Sequence, residues 1–144
     1  MSSIDQLACP ECGASAIHGK TCHEKFEEIL ALEYGSPAIF GAVHHITVIC
    51  YNLQHPDSFT EEALAWMQSS LRSIIEEGLT PAELRERAGK KFKGSASVKR
   101  HTSQAETDRR TQWSLTVLDI RTDDPQKYIE DITAWARSML NDLI

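Results

Sequence analysis

Residues 44–56 read His44-His45-Ile46-Thr47-Val48-Ile49-Cys50-Tyr51-Asn52-Leu53-Gln54-His55-Pro56. This stretch is the most apolar run of the chain, yet it contains three of the six histidines and one of the four cysteines. Polar groups in a buried segment need partners, because burial without a hydrogen bond or a ligand costs free energy. The stretch is therefore the candidate both for the centre of the fold and for a chemical site.

We predict a helix over residues 38–55. The β-branched residues 46–49 are also compatible with a strand, but a run of about 17 residues is longer than most strands. Pro56 favours an end at this point, because the residue before a proline is disfavoured in helical conformation. Apolar residues occur on nearly every face, which is typical of a helix at the centre of a bundle.

Four further helices are predicted, at residues 22–34, 59–77, 81–88 and 125–143. Thr21 and Glu24 form a capping-box pattern at the start of the first helix. The helix at 81–88 begins with the N-cap residue Thr80, a proline at the first helical position, Pro81, and the capping-box glutamate Glu83. The last helix has an apolar face made of Tyr128, Ile132, Trp135, Ala136, Met139 and Leu143.

Residues 96–121 are predicted to form a β-hairpin, with strands at 98–102 and 113–120 and a polar tip between them. The neighbouring stretch 85–110 holds nine Lys and Arg residues against three Asp and Glu. The hairpin would therefore be basic, although the whole chain has a net charge of −6. That net charge argues against nucleic acid as a general partner of the chain.

The length of 144 residues is enough for one hydrophobic core, and we predict a single domain, 1–144. The expected fold class is mainly α: a helical bundle around a buried central helix, with a small β-hairpin and an N-terminal zinc-knuckle loop. Its parts are a Cys-rich metal loop at 9–23, helices within 22–88, a basic hairpin at 96–121 and a C-terminal helix at 125–143. No signal-peptide pattern and no long apolar run occur, so we expect a cytoplasmic protein without membrane contact. Thiols stay reduced in that compartment.

Cys9-Pro10-Glu11-Cys12-Gly13 has the spacing of half a zinc site, because two thiolates two residues apart can reach one ion. A structural zinc normally has four ligands, so two more are needed. Cys22 is our choice for the third ligand, since it lies close in sequence and begins the first predicted helix, where the helix dipole favours a thiolate. Packing in the core is the alternative role for Cys22. Cys50, between Ile49 and Tyr51, is interpreted as a buried small apolar residue.

The fourth ligand should come from one end of the central helix. A rise of about 1.5 Å per residue separates His44 and His55 by roughly 16 Å, so they cannot share one ion. Either His44 or His45 joins the cysteines, or His55 does so at the other end. Our preferred ligand set is Cys9, Cys12, Cys22 and His45, with His44 as a near-equal choice for the fourth ligand. Tyr51 and His55 then form a possible second site.

Several segments together resemble an uncharacterised bacterial family, a domain of unknown function. The shared pattern is a CPxCG start, at residues 9–13, and an HHxTVxCYxLQHP core, at residues 44–56. Residues 78–85 and 135–138 also resemble the family pattern. The resemblance covers nearly the whole chain and implies no known activity.

Three functions are compatible with these features. The first is a zinc-binding globular protein whose zinc is structural and holds the Cys-rich loop against the helices. The second is a zinc-dependent, hydrolase-like enzyme, in which three protein ligands leave a position open for water. No HExxH signature supports a specific reaction. The third is a module that binds nucleic acid or another anionic partner through residues 85–110.

Overall fold

The computed structural model describes residues 8–16, 19–91 and 111–143. These residues form five α-helices: α1 (Cys22–Gly35), α2 (His44–Gln54), α3 (Glu61–Glu77), α4 (Pro81–Lys91) and α5 (Pro125–Asp142). Short 3₁₀ helices lie at Gly41–Val43, Pro56–Ser58 and Val117–Asp119. No β-sheet occurs in the described residues. The mainly helical fold class is therefore confirmed.

The capping boxes predicted from the sequence form at the starts of α1 and α4. The Thr21 hydroxyl accepts a hydrogen bond from the Glu24 backbone, and the Glu24 carboxylate accepts one from the Thr21 backbone. Thr80 and Glu83 exchange the same pair of hydrogen bonds at the start of α4. Each box satisfies two backbone N–H groups that a helix terminus would otherwise leave unpaired.

Helix α2 lies in the centre of the packing. Helix α2 packs against α1, α3 and α5, and α3 and α5 also pack against each other. Six of its eleven residues are buried: Ile46, Thr47, Ile49, Cys50, Leu53 and Gln54. The core that surrounds them includes Ile29 of α1, Leu71 of α3 and the wholly buried Trp135 of α5.

Helix α2 begins at His44, six residues later than the predicted start at residue 38. The chain between α1 and α2 turns around the Ser36 carbonyl, which accepts hydrogen bonds from the backbone of Ile39, Phe40 and Gly41. A Cβ at Gly41 would lie 2.9 Å from the Glu33 carbonyl oxygen. This close approach of backbone to backbone makes the turn tight enough to bring α2 back along α1.

The prediction of a strand at 113–120 is wrong. This segment contains a 3₁₀ turn, because the Thr116 hydroxyl and the Asp119 carboxylate cap each other's backbone. Such local side-chain hydrogen bonds compete with strand pairing. The Leu115 carbonyl accepts instead from the Gln54 side chain at 2.8 Å. The other predicted strand, 98–102, and most of the basic stretch lie outside the described residues.

None of the helices in the described part of the chain combines the length and the apolar character that crossing a membrane requires.

Two glycines allow a test of whether the end of α3 needs a residue in the left-handed backbone conformation. Gly78 ends α3 with φ of 75°, whereas Gly89 lies inside α4. A Cβ at either position would meet nothing within 4 Å, so only the backbone conformation differs. We expect Gly78→Ala to lower the free energy of unfolding by about 1 kcal/mol and Gly89→Ala to raise it by up to about 1 kcal/mol. Urea unfolding followed by circular dichroism measures both, and a stable Gly78→Ala variant would contradict this account of the helix end.

Candidate metal centre

The loop that carries Cys9 and Cys12 is a tight turn. The Cys9 N–H donates to the Ala14 carbonyl at 2.8 Å, and the Gly13 N–H donates to the Cys9 carbonyl at 2.9 Å. Gly13 has φ of 83°, a conformation that residues with a Cβ rarely adopt. The Glu11 N–H lies 3.4 Å from the Cys9 sulfur. The turn therefore directs both thiols to one side and provides a backbone donor for a thiolate.

Cys22 is the first residue of α1, directly after the Thr21 cap. Its side chain is buried, as is that of Cys12, while Cys9 is half-buried. Its position in the first helical turn is favourable for a negatively charged sulfur, because the backbone N–H groups there point outwards from the helix end. Helix α1 thus contributes both the position and the electrostatic environment of the third thiol.

His55 follows the last residue of α2 and completes the group. Its Nε2 lies 3.4 Å from the Cys22 sulfur. Its Nδ1 lies 2.8 Å from the Tyr51 carbonyl oxygen, and only a protonated Nδ1 can donate to a carbonyl. Nε2 then carries the lone pair. Metal-bound histidines usually have this arrangement, in which a backbone carbonyl holds the distal N–H and orients the ring.

The ligand atoms of Cys9, Cys12, Cys22 and His55 all lie within 4.8 Å of one another. In tetrahedral zinc sites the Zn–S bonds of about 2.3 Å place the sulfurs roughly 3.8 Å apart. Closing this group around an ion therefore needs shifts of about 1 Å at most. The four residues are close enough to hold a metal ion.

Hydrogen bonding inside the group separates the acidities of its thiols. The interaction between the two sulfurs raises the pKa of Cys12 and, assisted by His55, lowers the pKa of Cys22. Burial by itself lowers the pKa of His55, but the contacts with Cys22 and the Tyr51 carbonyl outweigh it and raise that pKa. The group thus favours a thiolate at Cys22, and a thiolate is the form that binds metals.

Aromatic stacking and one hydrogen bond attach the loop and His55 to the helices. The Tyr51 ring stacks between Phe26 of α1, at a centroid distance of 3.7 Å, and His55, at 4.0 Å. Glu11 accepts a hydrogen bond of 2.9 Å from the Asp57 N–H. The loop, the start of α1 and the end of α2 therefore meet at one point.

The structure brings three of the predicted ligands together but joins His55 to them, not His45 or His44. Helices α1 and α2 run antiparallel, so the end of α2 lies beside Cys22 and its start lies beside the end of α1. His44 is there hydrogen-bonded to Glu33 at 2.7 Å. His45 lies nearby and is half-buried. Its pKa is lowered mainly by burial and also by the neighbouring His44. His55, predicted with Tyr51 to form a possible second site, lies with the three cysteines, and the Tyr51 ring stacks on it.

Cys50 is completely buried and is not a member of the group. Burial raises the pKa of its thiol, so it remains protonated and apolar.

A protein-family model, described as "Family of unknown function (DUF5946)", matches residues 7–144 of the chain. This confirms the resemblance to a family without a described activity. No curated protein and no solved structure matches the chain.

The stacked rings make a testable contribution to the site. Tyr51→Ala removes the ring between Phe26 and His55, and we expect the free energy of unfolding to fall by about 2 kcal/mol. Tyr51→Phe keeps both ring contacts and loses only the long 3.5 Å contact of the hydroxyl with His23, so its stability should stay within about 0.5 kcal/mol of the wild type. Urea unfolding of both variants tests this, and equal losses would show that the hydroxyl, not the stacking, matters.

Proposed function

We propose that this chain, which belongs to the family of unknown function DUF5946, binds one zinc ion through Cys9, Cys12, Cys22 and His55. The convergence of these four ligand atoms within 4.8 Å carries the proposal. We further propose that the zinc is structural. Its role is to hold the N-terminal loop against the start of α1 and the end of α2.

The donor set supports zinc among the common metals. Three thiolates and one imidazole are soft or borderline donors, which suit zinc and disfavour magnesium and calcium. A Cys₃His set is one of the usual combinations of structural zinc sites. The Nδ1–H of His55 is already held by the Tyr51 carbonyl, so Nε2 is available for the ion.

The number of donors supports a structural role over a catalytic one. Structural zinc sites have four protein ligands, whereas catalytic sites keep one position for water. Four protein donors converge here, and Cys12 and Cys22 are only 5% and 7% exposed. The binding free energy of the ion would contribute directly to the ordering of this region.

The alternative of a zinc hydrolase requires one of the four donors to leave the ion. The alternative of a nucleic-acid module depends on residues 85–110, most of which lie outside the described part of the chain. The converging donor set favours the structural zinc over both.

The choice between His55 and His45 leads to a direct prediction. Wild-type protein purified without added metal should contain about one zinc per chain, His55→Ala should bind it at least about tenfold more weakly, and His45→Ala should keep wild-type affinity. Plasma emission analysis gives the content, and competition with a chromophoric chelator gives the affinity. Loss of zinc in His45→Ala with retention in His55→Ala would reverse the assignment.

A matched pair of cysteine variants controls for general damage. Cys12→Ser removes a proposed ligand, whereas Cys50→Ser places a hydroxyl in the core, where Cys50 is completely buried. Cys12→Ser should lose zinc, while Cys50→Ser should keep zinc and lose only stability. Equal zinc content in Cys12→Ser and the wild type would contradict the proposal.

Chelation should destabilise the protein. We expect an excess of a strong chelator to lower the melting temperature of the wild type by about 10 °C, because loss of a structural ion removes several kcal/mol of stability. The melting temperature of Cys12→Ser should not respond to the chelator.

A Co(II)-substituted protein separates a structural from a catalytic role of the metal. Its visible spectrum should not change with thiocyanate if four protein ligands close the site. A thiocyanate-dependent spectrum would indicate an open, catalytic position.

A further inference from the structure

The three cysteines of the candidate metal centre differ in their access to solvent. Cys12 and Cys22 are buried, whereas Cys9 is half-buried. Cys9 also lies between two exposed residues of the N-terminal loop, Ala8 and Pro10. A dissolved reagent therefore reaches the sulfur of Cys9 before it reaches the sulfurs of the other two cysteines.

Cys22 is the sulfur that the rest of the group shares. Its pKa is lowered by the sulfur of Cys12, then by His55 and then by the sulfur of Cys9, although burial acts in the opposite direction. For Cys12 the main interaction is again the one with Cys22, and Cys9 adds a weaker electrostatic repulsion. Cys22 is therefore the partner that Cys9 meets first within the group.

The geometry allows a bond between the sulfurs of Cys9 and Cys22. All the ligand atoms of the group lie within 4.8 Å of one another, and a disulfide bond is about 2.05 Å long, so the two sulfurs have to approach by about 3 Å at most. The hydrogen bonds of the tight turn, from Cys9 to Ala14 and from Gly13 to Cys9, fix Cys9 and Cys12 relative to each other. The loop can approach α1 as a unit without breaking these hydrogen bonds.

We propose that Cys9 is an oxidation site, at which a peroxide converts the metal centre into a Cys9–Cys22 disulfide that no longer holds the ion. This inference rests on the proposed zinc site and adds a regulation to it. The oxidant is hydrogen peroxide or another small peroxide from solution.

The reaction has two balanced steps. The Cys9 thiolate first attacks one oxygen of hydrogen peroxide: an S–O bond forms, the O–O bond breaks and hydroxide leaves, so that Cys9 becomes a sulfenic acid. The Cys22 thiolate then attacks the Cys9 sulfur: an S–S bond forms, the S–O bond breaks and a second hydroxide leaves. The two sulfurs together lose two electrons, and these reduce one molecule of peroxide.

The disulfide changes how the N-terminal loop is attached. It removes two of the four donors, and Cys12 and His55 alone are too few for a structural zinc site. The loop remains joined to α1 by a covalent bond through Cys22, but it loses the connection through the ion to His55 at the end of α2. The metal centre is thus a redox-sensitive link between the loop and the end of α2.

Cys50 serves as an internal control for the oxidation. It is completely buried and lies outside the group, and burial raises the pKa of its thiol. A protonated and inaccessible thiol reacts slowly with peroxide, because the thiolate is the nucleophile. Cys50 should therefore stay reduced while the metal centre is oxidised.

The test uses zinc-loaded wild-type protein and hydrogen peroxide. A chromophoric chelator reports the released zinc, free thiols are alkylated in denaturant, and mass spectrometry of unreduced peptides locates the disulfide. Trypsin cleaves after Lys20, and endoproteinase Glu-C cleaves after Glu11. A double digest therefore places Cys9, Cys12 and Cys22 on three different peptides.

We expect the consumption of about one peroxide per chain to release about one zinc and to join the peptides of Cys9 and Cys22. Dithiothreitol with added zinc should restore the original protein, and Cys50 should be recovered as an alkylated thiol. A disulfide between Cys9 and Cys12 would overturn the proposal. So would a protein that keeps its zinc and its reduced cysteines in a large excess of peroxide.

Two variants test the choice of Cys22 without depending on bound zinc. Cys12→Ser keeps Cys9 and Cys22 and should still form the link between them. Cys22→Ser should instead accumulate sulfinic acid at Cys9, at least about fivefold above the wild type, because the sulfenic acid lacks its partner. A Cys22→Ser variant in which Cys9 pairs with Cys12 as fast as Cys9 pairs with Cys22 in the wild type would overturn the choice.

The same measurements distinguish a failure of this inference from a failure of the zinc proposal. Purified protein without zinc that still forms the Cys9–Cys22 link would refute the zinc site and retain the oxidation site. Protein that contains zinc but never forms the link would refute the oxidation site and retain the zinc site.

Discussion

The antiparallel pairing of α1 and α2 is the constraint on which the rest of the structure depends. The turn around the Ser36 carbonyl reverses the chain within eight residues, and Gly41 permits the close approach to the Glu33 backbone. Each end of α2 then meets the opposite end of α1. Cys22 contacts His55 at one end, and Glu33 contacts His44 and Thr47 at the other. Between these two polar ends, the pair shares the apolar core with α3 and α5.

The two ends of α2 lie next to different groups of polar side chains. At the C-terminal end, three thiols and one imidazole converge and are close enough to hold a metal ion. At the N-terminal end, a carboxylate is buried and satisfied by donors from α2 and α5. Both arrangements need all of their partners, because burying a polar group without a hydrogen bond or a ligand costs free energy. These partners account for His44 at the start of α2 and for His55 directly after its end, while Thr47 and Gln54 are the buried polar residues within the helix.

Much of the helical framework is predictable from local signals. The capping boxes of α1 and α4, the glycine that ends α3 and the proline that starts α5 act on residues close in sequence, so their effect does not depend on the rest of the fold. The predicted strand at 113–120 failed for a related reason. Its alternating pattern predicts a strand, but Thr116 and Asp119 form local hydrogen bonds with the backbone, and the Gln54 side chain donates to the Leu115 carbonyl. That second contact joins residues 61 positions apart and could not be read from the segment itself.

The sequence by itself determined which residues are suited to a metal site. The Cys9–Cys12 spacing and the position of Cys22 at a helix start are local properties, and helical rise alone shows that the two ends of α2 cannot share one ion. Which end meets the cysteines was decided only by the tertiary structure. A short connection between two helices favours antiparallel packing, and applied to residues 36–43 this rule would have placed His55, not His45, beside Cys22. The partner of His44 could not be inferred in the same way, because Glu33 and Tyr128 come together only when α1, α2 and α5 pack around one core.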